Sequence, residues 1–288
     1  YFRHVRHWTS DRVSSALAFG GAWHSAMDQI WAGGTIEEAM LAWMQSMEES
    51  GIDPADIHLD DIRNAGVAKA MLTEYVAMNA PYLVDSEVLE IEQPFAVPLG
   101  ETDRYFYVGR VDKRIRIKDR IHFVEHKTTT AYKKNGPFRT TFTESFSPNS
   151  QIEGYLYAGH LLYGKEFKSV LVDAALVHKT VHNGFRFYPI ERQFAMLDQW
   201  LNDAVYWSSQ VNEQLDVHTR IDAVSNQGML SFPKNTESCN IYAGCTYKDI
   251  CRFVLHPHQM IETPKGYIVR KWEPYDELRL GTLGLEKE

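Results

Sequence analysis

Two short runs of strand-forming residues, separated by a polar turn, constrain the fold of this 288-residue chain more than any other feature. Residues 108–112 (Val-Gly-Arg-Val-Asp) and 121–128 (Ile-His-Phe-Val-Glu-His-Lys-Thr) are rich in β-branched and aromatic side chains. Residues 118–120 (Lys-Asp-Arg) between them are typical of a hairpin turn. Because side chains alternate along a strand, Glu125 and Lys127 should project from the same face. The pattern predicts a hairpin whose second strand presents two opposite charges side by side.

Charged side chains within such apolar runs are costly unless another charge compensates them. The hairpin would bring the carboxylates of Asp112 and Glu125 together, and two carboxylates can bind Mg²⁺ or Mn²⁺, which prefer oxygen ligands. A metal there would activate water and neutralise charge developing on a phosphate, while the ammonium of Lys127 would orient that water or the oxyanion. The alternative is a solvated strand face, which is where an isolated Glu-x-Lys pair usually lies. The three residues together favour a metal-dependent phosphodiesterase site.

Two further motifs have both a functional and a structural interpretation. Gln151 and Tyr155 are one helical turn apart and share a helix face, so they either support Lys127 and the nucleic acid or form an ordinary surface pair. His24 lies on an otherwise apolar helix, in the stretch Gly-Gly-Ala-Trp-His-Ser-Ala of residues 20–26. By itself this residue would be a core histidine more often than a ligand.

Taken in chain order, these motifs resemble those of the PD-(D/E)XK nuclease superfamily, and in particular its RecB-like branch of CRISPR-associated RecB-like nucleases and phage exonucleases. The elements that carry the resemblance are His24, Glu92, Gly109-x-x-Asp112, Glu125-x-Lys127 and Gln151-x-x-x-Tyr155. In that branch a His lies on an N-terminal helix, as His24 does, and an acidic residue like Glu92 opens the sheet.

The resemblance implies an α/β fold with a central mixed β-sheet flanked by helices, as in a restriction-endonuclease-like or lambda-exonuclease-like core. A helical N-terminal part and a Cys-containing C-terminal segment would accompany it. The implied catalytic residues are Asp112, Glu125, Lys127, Gln151 and Tyr155. The implied metal ligands are His24, Asp112 and Glu125, with His24 favouring Mn²⁺.

The same resemblance predicts the domain organisation. Residues 1–255 would form the nuclease domain, with the catalytic sheet core at 80–190 and the Cys-containing segment at 235–255, and residues 256–288 would form a tail. The length suits one large domain or one domain with an appended subdomain.

No apolar stretch approaches the ~18 residues of a membrane span, and no signal peptide opens the chain. We therefore expect no membrane partner and a cytoplasmic location in a bacterium or a phage-infected cell.

Hydrophobic periodicity, together with capping residues, prolines and glycines, predicts the remaining helices and strands. Thr35 and Glu38 should form a capping box at the start of a helix, Pro148 should occupy the first position of another, and Asn183-Gly184 is the best hairpin signal. The stretch 128–148 should be irregular and could grip the substrate. The expected helices are about 10–31, 35–50, 60–79 (ending before Pro81), 148–164 and 192–215, and the expected strands about 87–97, 168–179 and 185–190.

Positive charge is concentrated around the predicted site, although the net charge of the chain is -8. From Arg104 to Arg139 the sequence has eleven Lys or Arg against three acidic residues, which favours a nucleic-acid footprint. The alternative is the cationic solvated edge of an ordinary hairpin. Nearby aromatic residues (Tyr105, Tyr107, Tyr132 and Phe138) either stack on unpaired bases or belong to the core. The cations predicted to follow the phosphates are Arg110, Arg114, Arg116, Lys118, Lys133 and Lys134.

The three cysteines, Cys239, Cys245 and Cys251, lie within thirteen residues of one another, a clustering that suggests a metal rather than disulfides. Relatives in the RecB-like branch often carry a [4Fe-4S] cluster held by three C-terminal Cys and one N-terminal Cys. Here a cluster would require a fourth Cys upstream of the printed chain, because three thiolates do not complete such a site. The first residue is Tyr, and Tyr1–Val5 resembles the end of an N-terminal family motif that often includes a Cys, so we expect a preceding segment. The alternative is a vestigial motif without metal.

The leading functional interpretation is a metal-dependent DNA exonuclease or end-processing enzyme of recombination, replication or DNA capture, of phage or prophage origin. It would act on single-stranded or duplex ends and could have a recombination or helicase partner. Three alternatives remain: an RNA- or structure-specific endonuclease, an inactive nucleic-acid-binding module, and a domain of a larger helicase-nuclease. The intact His24, Asp112, Glu125 and Lys127 argue against inactivity. The absence of a phosphate-binding Gly-x-x-x-x-Gly-Lys-Ser/Thr loop excludes an ATPase within this chain, and the oligomeric state is left open.

Overall fold

The computed structural model describes residues 1–58, 61–101, 104–133, 136–222, 228–240 and 244–273. It divides into two compact units, one containing residues 13–201 and the other residues 1–12 with 202–273. The helices are α1 (Ser15–Trp31), α2 (Ile36–Glu49), α3 (Ala65–Asp85), α4 (Thr140–Glu144), α5 (Ser150–Tyr163), α6 (Asp198–Arg220) and α7 (Lys248–Phe253). The strands are β1 (Trp8–Ser10), β2 (Ser86–Pro98), β3 (Phe106–Ile117), β4 (Arg120–Thr129), β5 (Phe167–Leu176), β6 (Phe185–Ile190) and β7 (Tyr267–Val269).

The unit formed by residues 13–201 is built on a five-stranded sheet in the order β2-β3-β4-β5-β6. β4 and β5 are parallel and are connected through α5, whereas the other neighbouring pairs are antiparallel. Helices α1, α2 and α3 share one hydrophobic core with Val124 and Leu171 of the sheet. The predicted fold class, a central mixed sheet flanked by helices with a helical N-terminal part, is confirmed.

The apolar pattern of α1 explains why this helix is central to the core. Its buried positions recur every three to four residues, so they form one stripe along the helix. The Ser14 side chain accepts a hydrogen bond from the Leu17 N–H and caps the start of the helix, and Gly33, at a φ of 85°, follows its end. The buried residues are Ala18, Phe19, Ala22, Trp23, Ala26, Met27, Ile30 and Trp31.

The local signals at one helix start and at one hairpin predicted the structure correctly. Thr35 and Glu38 form the predicted capping box at the start of α2. The β3–β4 turn consists of Lys118 and Asp119, because Ile117 and Arg120 are already paired. Lys118 has a φ of 54°, the left-handed conformation that two-residue hairpin turns require.

Helix α3 does not end before Pro81, as the sequence suggested, but continues to Asp85 with Pro81 inside it. A proline removes one helical hydrogen bond and usually breaks the helix. Here the turn after Pro81 is packed into the core, where the ring of Tyr82 stacks on Phe187 with centroids 4.4 Å apart. Tertiary packing therefore overrides the local breaker.

Two further local predictions were wrong. Pro148 is not the first residue of α5, because Asn149 is the N-cap and its side chain accepts hydrogen bonds from the N–H groups of Gln151 and Ile152. Asn183-Gly184 does not form a two-residue hairpin turn, because residues 177–184 connect β5 to β6. A Cβ on Gly184 would lie 2.7 Å from the Cβ of Leu176, so this glycine permits close backbone approach instead.

The segment 128–148, predicted to be irregular, contains α4 and an aromatic cluster that anchors it to the sheet. The Phe138 ring is buried and lies 5.4 Å from that of Phe142, and Phe146 packs 5.6 Å from Tyr188 of β6, measured between ring centroids. The sequence left open whether Phe138 stacks on bases or belongs to the core, and the structure places it in the core.

The unit formed by residues 1–12 and 202–273 pairs β1 with β7 in an antiparallel two-stranded sheet. Residues after 255 therefore take part in this unit; the boundary of a nuclease domain at residue 255 stays a prediction. Phe2, Trp8 and Ile250 form its small core. Among the residues that the structure describes, no helix has the combination of length and apolar character needed to cross a membrane.

Candidate active site and metal centre

The candidate site lies where strands β3 and β4 part. Their ladder runs from Ile117↔Arg120 to Lys113↔Val124 and stops there, so Asp112 and Glu125 are the next residues on each side. Instead of a ladder bond, the His126 N–H donates to Asp112 Oδ2 at 2.7 Å. The strands thus open a gap that both carboxylates border.

Three potential ligand atoms meet at this gap. Those of His24, Glu92 and Asp112 all lie within 4.8 Å of one another, and His24 Nδ1 is 3.3 Å from Asp112 Oδ1. His24 Nε2 lies 3.0 Å from the backbone carbonyl oxygen of His126. A carbonyl can only accept, so Nε2 carries a proton; Nδ1 faces Asp112, donates to it when the ring is protonated, and would present a lone pair to a cation once that proton is lost. This His/Glu/Asp group could hold a metal ion.

Glu92 enters this group through an unusual backbone conformation. It has a φ of 52° within β2, a region that costs non-glycine residues about 1–3 kcal/mol and is concentrated at functional sites. The pairs Ile91↔Lys113 and Gln93↔Val111 place it opposite Asp112. Its Oε2 lies 2.7 Å from Arg110 Nε. The sequence had indicated Glu92 only as the acidic residue that opens the sheet, not as a ligand.

Glu125 is buried, and its two oxygens differ in their environment. Oε1 accepts from Lys127 Nζ at 2.5 Å and from Gln151 Nε2 at 3.1 Å, whereas Oε2 is buried with no hydrogen-bond partner among the described residues. A buried carboxylate oxygen without a partner is costly. A cation bound beside Asp112 would remove that cost, so Oε2 fits a ligand role.

The environments of the two carboxylates shift their pKa values in opposite directions. Burial and the charge of Asp112 raise the pKa of Glu125 to about 7, against the opposing charges of Lys127 and His24. Burial would also raise the pKa of Asp112, but hydrogen bonds and charges from His24 and His126 hold it below its usual range. Asp112 therefore stays ionised, while Glu125 holds its proton to a higher pH than an ordinary glutamate does.

The remaining predicted catalytic side chains form one hydrogen-bonded row beside Glu125. Lys127 Nζ donates to Gln151 Oε1 at 3.0 Å, and Gln151 Nε2 donates to the Tyr155 hydroxyl at 3.1 Å. That hydroxyl donates to the Arg110 carbonyl at 2.8 Å. The row orients the Lys127 ammonium along the edge of the carboxylate; the catalytic roles themselves stay predictions.

The predicted nucleic-acid-binding cations have different surroundings. Arginines of β3 form ion pairs with glutamates of β2, an arrangement that the charge count of residues 104–139 did not include, whereas Lys118 and Lys133 are exposed and Lys134 lies outside the described residues. The pairs are Arg110–Glu92, Arg114–Glu90 and Arg116–Glu87. Lys113, which was counted in the basic zone, is fully buried. Binding of nucleic acid by the six predicted cations stays a prediction.

The three cysteines lie in the unit of residues 1–12 and 202–273. All are half-buried free thiols. Burial raises the pKa of Cys251; the neighbouring Lys234 opposes this, and Cys245 and Cys239 reinforce it. The chain has three cysteines in total, which do not by themselves complete a four-cysteine cluster.

No protein-family model matches this sequence, and no curated protein matches it significantly. The solved structures with distant similarity include the following two. The first, a proposed exonuclease from Eubacterium rectale, shares 15% identity over 89% of this chain and 79% of that chain, with a TM-score of 0.44. The second, SSO0001, shares 11% identity over 69% of this chain and 77% of that chain, with a TM-score of 0.28. Any functional conclusion therefore depends on the geometry of the site.

Proposed function

We propose that this chain is a divalent-metal-dependent nuclease of the PD-(D/E)XK type that hydrolyses DNA phosphodiester bonds and acts at DNA ends. The observation that carries the proposal is the gap between β3 and β4, where His24, Glu92 and Asp112 converge beside a Glu125 oxygen for which the described residues offer no hydrogen-bond partner. Mixed nitrogen and oxygen donors suit Mn²⁺ as well as Mg²⁺. The specificity for DNA ends, and a recombination or helicase partner, rest on the family resemblance alone.

The side chains divide the proposed reaction between them. A bound cation would supply Lewis acidity for a phosphate oxygen and for the attacking water. Asp112, which stays ionised, and His24, held in one tautomer by the His126 carbonyl, would keep their donor atoms directed into the gap. Lys127 lies against Glu125 Oε1, where its ammonium can donate to the attacking water or to the oxygen on which charge develops.

Digestion of end-labelled linear DNA and closed circular DNA, each with Mg²⁺ or Mn²⁺, tests this proposal. We expect release of label from the linear substrate, no nicking of the circle and no reaction in chelator. Asp112→Asn, which keeps the shape but removes the charge, should be inactive. Cutting of the circle would indicate an endonuclease, cleavage of RNA alone would change the substrate, and inactivity of the parent on every substrate would contradict the proposal.

The iron–sulfur prediction is conditional. A [4Fe-4S] cluster on Cys239, Cys245 and Cys251 would need a fourth thiolate from outside the printed sequence. Its role would be structural, and no step of the proposed reaction uses it.

A further inference from the structure

A row of buried polar side chains lies in the core directly behind the candidate metal centre. Lys113 and His126 project from β3 and β4 on the side of α1 and α3, because side chains alternate along a strand, and both are fully buried. Lys113 Nζ donates to Asp28 Oδ1 of α1 at 2.8 Å and lies 2.8 Å from His126 Nε2. His126 Nδ1 lies 2.9 Å from Asp173 Oδ2 of β5, which also accepts from the Tyr75 hydroxyl at 2.6 Å.

The hydrogen-bonding partners of His126 allow its imidazole ring only one tautomer. An ammonium has no acceptor, so His126 Nε2 accepts from Lys113 and the ring proton is on Nδ1, which donates to Asp173. Both ring nitrogens are therefore used, and the imidazole is fixed between two strands that flank β4 in the sheet.

The peptide groups of His126 are in turn bound to the metal centre. Its N–H donates to Asp112 Oδ2 at 2.7 Å, and its carbonyl accepts from His24 Nε2 at 3.0 Å. These two bonds occur where the β3–β4 ladder has stopped, so the ladder does not hold this part of β4 against β3. One residue thus holds two proposed ligands through its main chain and is itself held through its side chain.

We infer that His126 is a positioning residue for the metal centre, and that Lys113 and Asp173 fix it from behind. The inference rests on the proposed metal site and deepens it. Burying Lys113, His126 and the Asp173 carboxyl group in an apolar core costs desolvation free energy that well-packed hydrophobic residues would not require. The buried polar row would offset this cost functionally by orienting His24 and Asp112. In other metalloproteins, groups that hydrogen-bond to metal ligands likewise set the orientation of the ligands and the metal affinity.

Calorimetric titration of the full chain with Mn²⁺, without DNA, tests the inference through two variants. His126→Leu keeps the approximate volume but removes both ring contacts, and we expect Mn²⁺ affinity to fall about 10- to 100-fold. His126→Gln keeps an oxygen that can accept from Lys113 and an N–H that can donate to Asp173, and it should recover most of the affinity. The spectrum of bound Mn²⁺ in electron paramagnetic resonance should broaden or shift in His126→Leu and not in His126→Gln.

Leu72→Ala is the matched control for a loss of core packing. Leu72 is fully buried in the same core as α1 and α3 and has no polar side-chain atom. This variant should lower the thermal unfolding midpoint and leave the Mn²⁺ affinity of the folded protein unchanged. If His126→Leu does not fold, Tyr75→Phe removes only the hydroxyl that donates to Asp173 and should lower the affinity in the same direction, by up to about tenfold.

The outcomes separate this inference from the proposed function. Parent-like Mn²⁺ affinity in His126→Leu, or in Tyr75→Phe where His126→Leu does not fold, would overturn the positioning role and leave the metal site standing. So would an equal loss of affinity in Leu72→Ala. Absence of Mn²⁺ binding by the parent would overturn both.

Discussion

At the residue scale, the candidate site contains two carboxylates whose environments shift their pKa values in opposite directions, upward for Glu125 and downward for Asp112. Asp112 is surrounded by hydrogen-bond donors, whereas Glu125 has one satisfied oxygen and one buried oxygen with no partner in the described part of the chain. If a cation binds beside this pair, as we propose, it would displace the Glu125 proton, because metal ligands must be deprotonated.

The pH dependence of metal binding follows from this exchange. The pKa of Glu125 is about 7 in the metal-free protein, above its ordinary value, so the carboxyl is increasingly protonated as the pH falls below about 7. We expect Mn²⁺ affinity to decrease as the pH is lowered through that range, with proton release on binding. Calorimetry in buffers of different ionisation enthalpy measures both quantities. Glu125→Gln should bind more weakly and lose this component of proton release, and a pH-independent affinity in the parent would count against the site.

Lys127 is expected to act on turnover rather than on affinity. Lys127→Ala should lower the single-turnover cleavage rate about 10²–10³-fold, as for the loss of one donor to developing charge, with DNA binding in Ca²⁺ largely retained. Lys165→Ala, which removes an exposed lysine near the far end of α5, is the matched control and should cleave at the parent rate. Full activity of Lys127→Ala would mean that the Glu-x-Lys motif is coincidental.

At the scale of elements, α5 positions Gln151 and Tyr155 because it packs very closely on the sheet. A Cβ on Gly154 would lie 2.6 Å from Tyr107, and one on Gly159 would fall well inside van der Waals contact of the Phe167 ring. Phe167 is itself buried and has little room to move. The two glycines thus set the distance from α5 to β3, which carries Asp112, and to β5.

Gly159→Ala should therefore destabilise the fold by about 1–3 kcal/mol, the usual cost of overpacking a core. Gly21→Ala, within α1, is the control, because a Cβ there meets no atom within 4 Å. The better helix propensity of alanine should make that variant more stable by up to about 1 kcal/mol. Urea unfolding at fixed pH measures both changes. A neutral Gly159→Ala would show that α5 can shift away from the sheet without cost.

At the scale of the whole molecule, charge is distributed unevenly. The chain has a net charge of -8, and the β3 arginines nearest the site are paired with β2 glutamates. Lys118 and Lys133, which are exposed, are therefore the more available of the predicted phosphate contacts that the structure describes.

Neutralising Lys133 and Lys134 together should reduce the salt dependence of DNA binding. Each phosphate contact contributes about 0.7–0.9 to the slope of log K against log salt, so the double variant should flatten the slope by about one to two units, with little dependence on DNA sequence. Binding measured in Ca²⁺ keeps the DNA intact, and Lys165→Gln serves as the control. A slope equal to that of the parent would indicate that Lys133 and Lys134 do not contact phosphates and that DNA binds to another face of the molecule.

Short-range patterns were sufficient for much of the fold and for part of the site. Strand alternation predicted the hairpin and placed Glu125 with Lys127 on one face, and the Thr35–Glu38 capping box was read from four residues. The order of His24, Asp112, Glu-x-Lys and Gln-x-x-x-Tyr added the family resemblance. These features depend on neighbours within one or two turns of the chain, so their geometry is encoded locally.

The geometry of the candidate metal centre depends on contacts between residues that are distant in the sequence. Lys113 contacts Asp28, 85 positions away in the sequence, and His126 contacts Asp173, 47 positions away. In the sequence alone, Lys113 was one of several cations in a basic stretch. His126 was only the variable residue of the Glu-x-Lys motif. Glu92 became a candidate ligand only through its strained backbone opposite Asp112. Which buried charge meets which partner depends on strand register, on where β3 and β4 part and on how α1 lies across the sheet. Local periodicity does not encode those relations, because a buried charge is stabilised only by a partner, and here the partner belongs to a distant part of the sequence.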